Sequence, residues 1–132
     1  MEIFQQISGL LDPRSVAIIG ASANTEGWSG AALPVLRKLG FSGDIYPVNP
    51  KYDDLDGLRC YPSVEAIPGK VDVALMFVPQ RALREILEQC GRKGVQGAVI
   101  LASGFSETGN EGKALEEQLR KVANQNKIAI CG

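Results

Sequence analysis

Residues 15–30 read SVAIIGASANTEGWSG. The run Val16-Ala17-Ile18-Ile19 is apolar, the length of one buried strand. It stops at Gly20. A small polar loop, Ala21-Ser22-Ala23-Asn24-Thr25-Glu26, leads to Gly27 and Gly30, and a helix-like pattern follows. Strand, glycine turn, helix is the opening of a βαβ unit. A turn free of bulky side chains lets backbone N–H groups approach a phosphate, and the helix start adds partial positive charge. The spacing departs from the dinucleotide fingerprint G-x-G-x-x-G, because Ser22 stands where the second glycine belongs. Gly20, Ala21, Ser22, Asn24 and Gly27 are the candidate ligand contacts in this loop. Read without a ligand, Gly20 and Gly27 only shape a tight turn.

Downstream, the strand–helix alternation repeats. Ala32, Val35, Leu36 and Leu39 make one apolar helical face, with Pro34 expected in the first turn and Gly40 as the stop. Asp44–Asn49 reads as a second strand, and Pro47 within it argues against ladder bonding on both sides. Residues 50–61 read as a polar loop, and Ser63–Ile67 as one helical turn with Ser63 as N-cap. Val71–Val78 is a third strand, apolar enough to be covered on both faces. Pro79 opens a helix with the stripe Leu83, Ile86, Leu87 and Cys90, closed by Gly91 or Gly94. Val95–Leu101 is a fourth strand. Leu115, Leu119 and Val122 mark another helix, and Lys127–Cys131 is a fifth strand. Ahead of all this, Ile3, Phe4, Ile7, Leu10 and Leu11 recur at helical spacing up to Asp12-Pro13.

This alternation predicts an α/β, Rossmann-like, doubly wound and mostly parallel five-stranded sheet, of strand order 3-2-1-4-5. Ligands of such sheets bind beyond the carboxyl ends of the strands, so the loops that matter are 20–30, 49–51, 78–81 and 103–109.

With 132 residues, 45% of them hydrophobic, the chain is one domain with a real core. Fourteen basic against fifteen acidic residues leave a net charge of −1, with no basic stripe for nucleic acid. No apolar run approaches the ~20 residues of a membrane span, and no secretory leader is visible. Cys60, Cys90 and Cys131 are widely spaced and read as reduced thiols of a cytoplasmic protein. There is no histidine, which removes the commonest general base and the commonest nitrogen ligand for metals. Asp53, Asp54 and Asp56 lack the terminal glutamate of a calcium loop and read as a solvated loop, so no metal site is expected.

The end of the second strand bears on the choice of ligand. An NAD site wants an acid there; this chain has Asn49-Pro50-Lys51. A lysine suits a ribose phosphate, as in NADP or the 3′-phosphate of coenzyme A, and otherwise is a solvated side chain. Asn49 is either a ligand contact or a turn former, since Asn-Pro marks turns. Val78 and Pro79 offer an apolar surface beside the first strand. Ser103, Gly104 and Phe105 end the fourth strand with mostly small residues, past which a ligand's chain can run. Ser22 has no visible base to activate it as a nucleophile. Trp28 can stack on a base or wedge its helix against the sheet.

The chain resembles the N-terminal coenzyme A-binding domain of the NDP-forming acyl-CoA synthetases. That family includes ADP-forming acetyl-CoA synthetase and is related to the alpha subunit of succinyl-CoA synthetase. The resemblance rests on residues 11–22 (LDPRSVAIIGAS), 43–51 (GDIYPVNPK), 71–74 (VDVA) with Val78-Pro79, and 103–107 (SGFSE). It implies that Gly20–Gly27 and Ser22 hold coenzyme A phosphates and that Lys51 meets the ribose phosphate. It places Val78-Pro79 on the adenine side and Ser103–Phe105 along the pantetheine arm. It also implies that residues 1–132 are one coenzyme A-binding, Rossmann-like domain of a longer acid–thiol ligase. The phosphorylated histidine and the ATP-grasp part of that enzyme would lie in other domains, so this chain alone would be inactive. Two further readings stay open: a regulatory domain sensing coenzyme A or acetyl-CoA in a protein lysine acetyltransferase, and an NADP-binding oxidoreductase fragment.

Overall fold

The structure is a computed structural model and describes residues 14–23, 28–55, 57–100 and 110–131. The expected amphipathic stretch at residues 3–11 lies outside the described residues.

Five strands form the main sheet: β1 (Ser15–Ile19), β2 (Asp44–Val48), β5 (Val73–Met76), β6 (Gly97–Ile100) and β7 (Ala129–Cys131). All four neighbouring pairs are parallel. Helix α1 (Trp28–Lys38) lies between β1 and β2, α2 (Gln80–Lys93) between β5 and β6, and α3 (Asn110–Gln125) between β6 and β7. The Rossmann-like, doubly wound α/β class expected from the sequence is therefore the observed one. Residues alternate between faces, as a period of two requires. Ala17, Ile19, Ala74, Met76, Ala98 and Ile100 pack with Leu83, Leu87 and Cys90 of α2 and with Leu119, Val122 and Ala123 of α3. Val16, Ile18 and Val73 pack on the opposite face with Leu33 of α1.

One part of the expectation is corrected. The sheet runs β2-β1-β5-β6-β7, which over the five expected strands is 2-1-3-4-5 and not 3-2-1-4-5. The third strand lies beside β1, so β2 is an edge. Pro47 supplies the reason. The N–H and C=O of one strand residue point to the same side, and the Pro47 carbonyl accepts the Tyr61 amide at 2.9 Å, away from β1. The missing proline N–H faces the same outer side, where no ladder needs it. An inner β2 would set that gap against a neighbouring strand.

Smaller differences have local causes. α1 begins at Trp28, so Pro34 sits inside the helix and not in its first turn. Its ring is on the exposed side of the helix. The polar loop contains a two-stranded antiparallel hairpin, β3 (Asp54–Leu55) and β4 (Leu58–Arg59), which buries Leu55 on the α1 side of the sheet. Ser63 takes the extended N-cap conformation before a 3-10 turn, Val64–Ala66, but its side chain makes no capping bond. α2 ends at Gly94, whose φ of 87° is the left-handed cap; Gly91 lies inside the helix, where a Cβ would strike Asn126. Lys127 has φ 57° and belongs to the turn ahead of β7.

The amino edge of the sheet is tied by one residue. The Asp72 carboxylate accepts the Arg14 amide at 2.9 Å, and the Asp72 amide donates to Ser15 Oγ at 2.9 Å. The Asp72 carbonyl accepts the amides of Gln96 and Gly97, both at 3.0 Å. β1, β5 and β6 thus share a common starting line, which brings their carboxyl ends level at the other edge.

Candidate functional site

In the register, Ile19 stands beside both Val48 and Met76, and Met76 beside Ile100. The loops that leave β1, β2 and β5 therefore emerge from one edge. With order 2-1-3-4-5 the crossovers diverge between β1 and β5, and that switch point is where such sheets take ligands.

The first loop is drawn tightly across the end of the sheet. Val48 O accepts the amides of Gly20 and Ala21 at 2.8 and 3.3 Å. Gly20 has φ 88°, and a Cβ there would run into the Phe77 carbonyl oxygen. Phe77 is itself fixed by its amide bond to Ile19 O, 2.8 Å. Only glycine lets the loop cross so close to the start of the β5 loop. Ala21 is buried and Ser22 half-buried.

The second loop turns on Asn49. Its Nδ2 donates to Ala21 O at 2.9 Å, and its Oδ1 accepts the Lys51 amide at 2.9 Å. This is an Asx-turn. The turn-forming role weighed for Asn49 is thus present, together with a tether to the first loop that residue spacing did not reveal. Lys51 is exposed. In the third loop Val78 is half-buried, and Pro79 is the extended N-cap of α2. Neither α1 nor α2 carries an acidic residue in its first turn.

Gly20, Ala21, Ser22, Asn49, Lys51, Val78 and Pro79 are thus gathered at one edge. Asn24, Gly27, Ser103, Gly104 and Phe105 lie outside the described residues, as does the Trp28 side chain. Asp53 and Asp54 are exposed.

Cys60 and Cys90 are both buried free thiols. Cys90 is fully buried, and burial pushes its thiol up to about 12. Burial also raises the Cys60 thiol, helped by the nearby Asp53 and Asp54; its Sγ donates to Asn49 O at 3.5 Å. Both thiols are expected to resist a thiol reagent in the native protein at pH 8 and to react in urea. Peptide mapping of labelled Cys60 and Cys90 checks this.

Comparison with known proteins adds to this geometry. The family model described as "CoA binding domain" matches residues 14–132. The chain belongs to this CoA-binding domain family.

The domain is 48% identical over 121 residues to an ADP-forming acetate–CoA ligase of Methanocaldococcus jannaschii, covering 91% of this chain and 16% of the relative. It is 40% identical over 130 residues to the alpha subunit of ADP-forming acetate–CoA ligase I of Pyrococcus furiosus, covering 96% of this chain and 28% of that one. Among solved structures it is similar to the dinucleotide-forming acetyl-coenzyme A synthetase 1 of Ca. Korarchaeum cryptofilum in complex with phosphate and ADP. That match has a TM-score of 0.90 and 39% identity, over 97% of this chain and 27% of that chain. The domain is of the type found in ADP-forming acyl-CoA synthetases, and spans less than a third of the length of these relatives. No helix among the described residues is long and apolar enough to cross a membrane.

Proposed function

We propose that this domain binds coenzyme A across the carboxyl edge of β1, β2 and β5. Gly20, Ala21 and Ser22, with Asn24 and Gly27 of the same loop, take the phosphates of the diphosphate bridge. Lys51 takes the ribose 3′-phosphate. Val78 and Pro79 pack on the adenine side, and Ser103, Gly104 and Phe105 border the pantetheine arm. The single observation that carries this reading is the convergence of a strapped glycine turn and a solvent-facing lysine at the switch point. Membership of the family supports it.

Residues 1–132 act as the coenzyme A-holding domain of a longer cytoplasmic acid–thiol ligase. A succinyl-CoA-synthetase-like domain and an ATP-grasp part supply the acyl-phosphate and nucleotide chemistry there. The domain's own contribution is to bind and orient the carrier. The names of the relatives, ADP-forming acetate–CoA ligases, support this parent activity.

Calorimetric titration of the chain with coenzyme A and with dephospho-coenzyme A tests the reading. Lys51→Ala should weaken coenzyme A about tenfold, the equivalent of about 1.4 kcal/mol for one lost charge-assisted contact, and leave dephospho-coenzyme A unchanged. Equal affinity of the unaltered chain for the two ligands removes the role of Lys51. Binding of neither removes the assignment.

A further inference from the structure

Lys51 discriminates for a phosphate only if its backbone is held where the side chain reaches the site, and Asn49 is built to hold it. Lys51 is exposed and enters no ion pair among the described residues. Its position is set from the main chain. The Lys51 amide bonds to Asn49 Oδ1, and Asn49 Nδ2 bonds across to the Ala21 carbonyl, each at 2.9 Å. The amide orientation follows from its partners, because an exchanged N and O would face donor with donor and acceptor with acceptor. The Asn49 main chain is anchored as well. Its N–H donates to Tyr61 O at 2.9 Å, and its carbonyl accepts the Tyr52 amide at 3.3 Å. Asn49 is half-buried, and its side chain has one protein partner at each heteroatom.

We infer that Asn49 is a positioning residue for ligand discrimination: its side chain clamps the Lys51 turn to the glycine loop, so that the ribose-phosphate cation and the phosphate-binding turn keep one fixed separation. The inference rests on the proposed placement of a ribose phosphate at Lys51. It gives Asn49 an indirect role beside the contact role expected from sequence. Physically, a lysine ammonium on a four-carbon stem gains from a phosphate only what remains after its own ordering, and a turn fixed in advance reduces that loss.

The test compares the ratio of dissociation constants, dephospho-coenzyme A over coenzyme A, in four forms of the full chain: unaltered, Lys51→Ala, Asn49→Ala and Asn49→Ser. The unaltered chain should give a ratio of about ten and Lys51→Ala a ratio near one, as for one charge-assisted contact. Asn49→Ala should bring the ratio to within about threefold of one although Lys51 is intact, since the main-chain bonds to Tyr61 and Tyr52 fix Asn49 and Tyr52 but leave the Lys51 amide without its partner and the turn without its link to Ala21. Asn49→Ser should recover part of the ratio, because a serine hydroxyl can accept the i+2 amide more weakly but cannot span to Ala21. A ratio is insensitive to a uniform loss of affinity, so a merely structural role would weaken both ligands and leave it at ten. That result in both Asn49 variants, with Lys51→Ala near one, overturns the inference while keeping the proposed function. A Lys51→Ala ratio equal to that of the unaltered chain overturns the placement of the ribose phosphate itself. Hydrogen exchange gives a ligand-free check. The Lys51 amide should exchange faster in Asn49→Ala than in the unaltered chain, and equal rates overturn the clamp.

Discussion

Replacing Gly20 with alanine is expected to destabilise the domain by about 3 kcal/mol or more, whereas Gly94→Ala should cost only about 1 kcal/mol. The two glycines share nearly the same backbone conformation, φ 88° and 87°. Each substitution therefore carries a similar left-handed penalty. They differ in their surroundings. A Cβ at Gly94 meets nothing within 4 Å, while one at Gly20 strikes the Phe77 carbonyl, which is backbone and cannot rotate aside. Relief requires moving the end of β1 away from the end of β5, which strains the Phe77–Ile19 and Gly20–Val48 bonds. Overpacking against a fixed neighbour adds about 1–3 kcal/mol. For a domain of this size 1 kcal/mol moves the melting temperature by roughly 4 °C. Calorimetric melting should therefore place Gly20→Ala about 12 °C below the unaltered chain and Gly94→Ala about 4 °C below. Equal shifts would mean that the Phe77 contact contributes nothing. Since the same displacement opens the turn proposed to hold phosphate, coenzyme A affinity should fall with Gly20→Ala and stay unchanged with Gly94→Ala.

How far the residues alone disclosed this arrangement depended on the range of the interaction concerned. Val16–Ile19, the apolar third strand and the stripe Leu83, Leu87 and Cys90 are local patterns, and each forms the element its period announces. The place of β2 was also legible, because Pro47 cannot serve a ladder on both sides, a signal that the order 3-2-1-4-5, with its inner second strand, does not accommodate. The β3–β4 hairpin was not legible, since strands of two residues have no period to read. At the candidate site, Asn-Pro-Lys signalled a turn. The bond from Asn49 to Ala21 joins residues 28 positions apart and exists only once β1 and β2 lie side by side. Sequence pattern thus located the loops, and tertiary pairing decided what each side chain does within them.

Ile67→Ala is expected to cost about 3 kcal/mol, although Ile67 lies in a connection and not in a regular element. The crossover from β2 to β5 contains no α-helix. The 3-10 turn Val64–Ala66 stands in its place, and Val64 and Ile67 are both only 1% exposed. They join the core formed with Leu83, Leu87 and Cys90. The same turn is also tied to α2 by visible polar contacts. Arg92 pairs with Glu65 at 2.8 Å, and Lys93 Nζ donates to Ile67 O. The Arg92 and Glu65 side chains are 59% and 43% exposed, so solvent screens the attraction, and Glu65→Ala should cost less than about 1 kcal/mol. Urea denaturation of the two variants separates the contributions. If the apolar seal holds the crossover, the Ile67→Ala midpoint falls by several times the Glu65→Ala shift. Comparable shifts would show that the ion pair carries the connection. The outcome bears on function because this crossover leads into β5, whose far end supplies Phe77, Val78 and Pro79 to the candidate site.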